Sequence, residues 1–190
     1  MFRISFWRKD ERMVINLNEN TITAGGISGA ISDPLSPEAQ EHAIVYYEEI
    51  RHRTDDIMKI ATYTGYTPEQ VLKVKNFLFV ETHILSTGIK RFDASFEIAE
   101  SWQRLSDMQE YVQPHDKLLI PHELMEMDLI TKGFSQADAH DKTCEIYNYP
   151  RATNEFYAKL QHERNAKIGK GDIISGGITH KAREDWDMYL

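Results

Sequence analysis

A single cysteine, Cys144, excludes a disulfide within the chain, and with it the small secreted scaffolds that depend on such bridges. Glycine and proline are scarce, 10 and 6 in 190 residues, which rules out collagen-like and low-complexity architectures. No apolar run approaches the roughly 18 to 20 residues that a bilayer-spanning helix needs. The least charged stretch, Thr21 to Ser32, is interrupted by Gly25, Gly26 and Gly29. Positive charge is in deficit: 22 Lys and Arg face 30 Asp and Glu, for a net charge of -8 and a pI near 5.5. That balance excludes a uniformly basic nucleic-acid face, although an enzyme acting on nucleic acid through a local site is compatible with it. The opening residues lack the apolar core of a secretory signal, so the expectation is a cytoplasmic protein with no membrane partner.

What is present describes one globular domain: 41% hydrophobic and 27% charged residues suffice for a real core. Residues 1–37 read as an irregular N-terminal arm, with Met13 to Leu17 as a short strand candidate and Pro34 and Pro37 at its end. Residues 38–168 carry helical periodicity, and 169–190 read as a loose tail containing Gly169, Gly171, Gly176 and Gly177. The fold class predicted is mainly α, a single-domain bundle of about six helices. Ser36-Pro37 opens a long first helix to Tyr63, and Gly65 ends it. Thr67-Pro68 starts a second helix to Phe79, and Asp93 caps a third, Ala94 to Leu105. A fourth runs from Pro114 to Lys132, a fifth follows Ser135, and a sixth spans Asn154 to about Lys167.

Chemistry concentrates between His115 and Glu126, where two His, one Asp and two Glu fall within twelve positions. On a helix, His122 and Glu126 are four apart and share a face. The run resembles the H-E-x-x-H motif of zinc proteases, but Glu126 stands where the second His would be. If His140 folds back across a tight turn at Gly133, a His122, Glu126, His140 set can hold a divalent metal such as zinc. A water would fill the open position and Glu123 would serve as general base. Two other readings use the same residues. One is acid/base work by Glu123 or His115 without metal. In the other, Pro121 starts a helix whose positive end Glu123 and Glu126 merely favour. Arg104 has a plain reading, facing outward while Trp102 and Leu105 enter the core, and a functional one, as the positive fork that anchors a carboxylate or phosphate. Cys144 reads as helix packing, His83 as a helix-end residue, and His42 and His52 as solvated.

Tyr46-Tyr47-Glu48-Glu49-Ile50-Arg51, Arg91-Phe92-Asp93, Ser101-Trp102-Gln103-Arg104-Leu105, His115-Asp116, His122-Glu123-Leu124-Met125-Glu126, Ala139-His140 and Tyr147-Asn148-Tyr149 together resemble a known pattern. It is that of the C-terminal domain on phage minor head proteins and on polymorphic-toxin chains, over about residues 25–160. The resemblance implies a nuclease or other toxin-type hydrolase, with a nucleic acid or protein substrate and a phage or toxin-system protein partner. The rival expectation is a non-enzymatic structural or interaction module of phage origin, in which the same polar groups cap helices and make buried hydrogen bonds.

Overall fold

The computed structural model describes residues 33–171 except 86, and the side chains of that range as far as 166. The Met13 to Leu17 strand candidate and most of both terminal segments lie outside it. The described chain is mainly helical: seven α-helices and one two-stranded hairpin. Among the described residues no helix is long and apolar enough to cross a membrane.

Helix α1, Pro37–His52, begins as its sequence demands, with Ser36 Oγ accepting from the Ala39 amide at 3.2 Å and Pro37 where no intrahelical donor is needed. The long first helix of the sequence reading is in fact two, because the chain breaks at Arg53 and restarts as α2, Asp56–Thr64. No glycine or proline marks that break. It is held from a distance: Arg53 pairs with Asp107, and Lys75 donates to the Arg53 carbonyl at 2.6 Å and to Asp56 at 3.0 Å. Trp102 Nε1 completes this buried knot on Asp56 at 2.9 Å. Gly65, at φ 81°, ends α2 in the left-handed region open to glycine.

Helix α3, Pro68–Lys75, carries a reciprocal capping box between Thr67 and Gln70 and passes into a π-helical turn, Asn76–Val80. Where the sequence reading has only a break before the third helix, the chain forms a hairpin, β1 His83–Leu85 and β2 Gly88–Lys90, paired antiparallel with Ile84 opposite Ile89. His83 therefore sits on a strand, stacked on Phe92 with centroids 4.0 Å apart. Helix α4, Phe96–Asp107, is capped by Ser95 rather than Asp93. Helices α5, Asp116–Thr131, α6, Gln136–Cys144, and α7, Tyr149–Gly171, follow.

The core lies where α4 meets α1, α2 and α5. Trp102, Phe79, Phe96, Tyr47, Ile60, Leu105, Leu119 and Ile120 are buried there. Phe79 presents its edge to both Tyr47 and Trp102 at 4.7 and 5.0 Å, a favoured arrangement for ring quadrupoles.

Candidate metal centre

Pro121 does not open a helix. It lies inside α5, which starts at Asp116 and continues through it. The proline lacks the amide hydrogen that would bond the Lys117 carbonyl, a local cost the tertiary packing overrides. The positive end of the helix is thus more than a turn upstream of Glu123 and Glu126, and helix-terminus attraction does not account for them.

Helix α5 ends in a turn with Gly133 at φ 94°, and Ser135 caps α6, so the two helices form a tight pair. Each contributes side chains four residues apart: His122 and Glu126 from α5, His140 and Cys144 from α6. His140 Nδ1 is 2.9 Å from Glu126 Oε2, and His122 Nε2 is 3.5 Å from the same oxygen. Cys144 Sγ lies 3.6 Å from His140 Nε2. His122 Nδ1 is 2.7 Å from the Tyr147 carbonyl, a contact that requires Nδ1 to carry the hydrogen. Its Nε2 is thereby turned toward the cluster, and Glu126 fixes His140 in the same manner through Nδ1. Orientation of a ligating imidazole by a carbonyl or carboxylate on its other nitrogen is the usual support of a metal site.

One ligand atom each from His122, His140 and Cys144 lies within 4.8 Å of the other two. Around a tetrahedral zinc with bonds of roughly 2.0–2.3 Å, such atoms stand about 3.3–3.8 Å apart, so small side-chain movements close the set. The sequence expectation had Glu126 as the third ligand and Cys144 as packing. The structure brings His122, Glu126 and His140 together and adds the sulfur, with Glu126 placed to hold His140. The signal for Cys144 was in the sequence, as the i,i+4 repeat of the His122–Glu126 spacing.

The charges fit a cluster that is ionic without a metal. Burial pushes His122 down, but Glu126 and the Tyr147 carbonyl outweigh it and the imidazole is raised. Burial favours the neutral form of Glu126, yet both imidazoles hold it below its ordinary value. Burial, with Glu126 nearby, pushes Glu123 up to about 8 despite His122. The Cys144 thiol is raised by burial and by Glu126 and Asp141, which keeps it from acting as a free nucleophile.

His122, Glu123, Glu126 and His140 open onto a cleft of about 370 Å³, walled on its apolar side by Phe77, Leu78, Phe92 and Ile98. Arg104 and His115 do not line it. Arg104, expected as an anion anchor, is fully buried and grips Asp116 with two bonds of 2.7 Å, from Nε and Nη2. Ser101 Oγ donates to the same carboxylate at 2.6 Å, and the Gln113 amide donates to it at 2.7 Å. His115, 2% exposed, is packed against Phe156 with its Nε2 3.1 Å from Arg104 Nη2. These two residues hold α4 to α5 and have no face toward a substrate. His42, expected in solvent, lies 3.2 Å from Glu100.

A helical fold in which two histidines and a glutamate at the edge of a cleft cluster with a cysteine behind them is thus the class that fold and site define. No family model, curated protein or solved structure matches the chain.

Proposed function

We propose that the protein is a metal-dependent hydrolase, with His122, His140 and Cys144 as ligands of a divalent ion such as zinc and Glu123 as the proton carrier. The observation that carries this reading is the convergence of one ligand atom each from His122, His140 and Cys144 within 4.8 Å of one another, with Tyr147 and Glu126 orienting the two imidazoles through Nδ1. Three protein ligands leave a position for water, and a bound zinc supplies Lewis acidity that makes such water acidic. A divalent ion beside Glu123 would draw it back toward the carboxylate form, and in that form Glu123, on the adjoining α5 position and lining the same cleft, takes the proton of the attacking water and returns it to the leaving group. The resemblance to phage minor head and polymorphic-toxin modules supports the hydrolytic side of this reading.

The test is metal analysis of protein purified without an affinity-tag metal, joined to a hydrolysis assay of the Glu123→Gln variant. One ion per chain, and activity lost with folding intact, sustain the reading. A second reading has an observation of its own: Glu126 already satisfies both imidazoles, so the cluster can serve as a purely structural ionic clamp. Under that reading Glu123→Gln leaves all function in place.

A further inference from the structure

The cleft at the α5–α6 cluster continues outward into a second groove, bordered by the hairpin residues Ile84, Leu85 and Lys90 and by Gln136 and Asp141 of α6. The two share Asp93, Glu126, Gln136 and His140, so the groove beside the hairpin adjoins the cleft at the cluster. Its charge is one-sided. Asp93, Glu97 and Glu126 line the inner cleft beside Glu123, which burial pushes toward its neutral form, and among the described residues neither Lys nor Arg joins them. Lys90, on the outer groove, is engaged by Asp93 at 2.8 Å. Among the described residues no Lys or Arg pairs with Glu97 or Asp141.

A divalent ion does not reverse this balance. Cys144 binds as thiolate and Glu126 is ionised, so their two negative charges offset the ion. A phosphodiester chain, which proteins hold with Lys, Arg and surplus positive charge, meets carboxylates here instead. The apolar wall of Phe77, Leu78, Phe92 and Ile98 suits a hydrocarbon side chain. The hairpin beside the outer groove has no third strand among the described residues, which leaves backbone groups for an extended chain to pair with.

Resting on the hydrolase reading for its chemistry, we infer that the substrate is an extended polypeptide carrying an apolar side chain next to a basic one. The apolar group sits against the Phe77–Phe92 wall, the basic group meets Glu97, and the intervening carbonyl faces the cluster. In the reaction the water oxygen bonds to the carbonyl carbon as Glu123 accepts a proton. The C–N bond then breaks with its electron pair passing to nitrogen, which takes that proton from Glu123. A carboxylic acid and an amine are released, and no oxidant or reductant is required.

The experiment uses the full chain loaded with zinc and compares a Leu-Lys peptide hydroxamate, its Leu-Glu counterpart and a single-stranded oligothymidylate by calorimetry. The expected result is at least tenfold tighter binding of the Leu-Lys compound than of the Leu-Glu compound, with no oligonucleotide binding. Glu97→Gln, checked for folding by circular dichroism, should shrink the preference severalfold with zinc content unchanged. Oligonucleotide binding in place of peptide binding, or equal affinity for the two peptides, overturns the inference. If the chain takes up no zinc, the hydrolase reading fails by itself. The uncharged-end Leu-Lys peptide amide then replaces the hydroxamate: its selective binding over the oligonucleotide sustains the polypeptide groove, and its failure overturns it.

Discussion

Glu126 stands between two imidazoles, 2.9 Å from His140 Nδ1 and 3.5 Å from His122 Nε2, so a single carboxylate couples helices α5 and α6. As the partner that orients His140, it should tune metal affinity more than create it. Glu126→Gln is expected to weaken zinc binding about 10- to 100-fold. Cys144→Ala or His122→Ala, which under the proposed metal reading remove a ligand, should weaken it further. Competition with a chelating dye measures all three, and a Glu126→Gln protein weaker than both ligand variants contradicts the assignment.

Glu123 reaches the cleft but is placed outside the ligand set. Glu123→Gln should lower the hydrolytic rate by roughly 10²- to 10⁴-fold, the span of a positioned proton carrier, with zinc stoichiometry unchanged. Parallel rate and metal measurements on one preparation separate this from simple loss of the ion.

Asp116 is the buried partner of Arg104. Burial favours its neutral form, but the bonds from Arg104 prevail and hold its carboxyl down at about 2. Its folded value lies below the ordinary aspartate value of about 3.9, so the stabilisation is fully present above that pH. It is lost as pH falls through the folded value, an effect of about 2 kcal/mol. Urea midpoints between pH 5 and pH 2 should fall accordingly for the wild type. Asp116→Asn should lack this component, and at neutral pH should lose somewhat less than the roughly 3–5 kcal/mol of a fully unpaired buried charge, because Glu100 stays 3.3 Å from Arg104.

Asp56 gathers Lys75 and Trp102 at the break between α1 and α2. Asp56→Ala leaves a buried ammonium without its carboxylate and should cost about 3–5 kcal/mol. Asp56 bonds Lys75 and Trp102 and lines neither the cleft nor the cluster. Zinc affinity per folded molecule should therefore stay unchanged, which denaturant titration with and without the ion distinguishes.

The α5–α6 arrangement was legible because its information is local: i,i+4 spacing put His122 with Glu126, and Gly133 and Ser135 announced the turn and restart. Caps at Ser36 and Thr67 were readable for the same reason. The break after His52 was not, since Arg53, Asp107, Lys75 and Asp56 meet only in three dimensions and neither glycine nor proline stands at the site, where Thr54 and Asp55 are the sole local sign of a restart. Arg104 and His115 were misleading in a similar way. A charged residue beside an apolar stripe has the same letters whether it faces a ligand or a buried aspartate. The short hairpin escaped notice because three-residue strands offer too little alternation to register against neighbouring helical periodicity.

Pro121 interrupts the hydrogen-bond ladder directly before the residue that aims at the cluster, and its consequence extends to heredity of the fold. A helix already missing one rung has less local margin there, so changes at neighbouring core positions such as Leu119 and Ile120 act on a segment secured chiefly by α3, α4 and α6. The integrity of the centre is therefore delegated to distant walls, and variation in those walls becomes a means of adjusting it without touching any ligand.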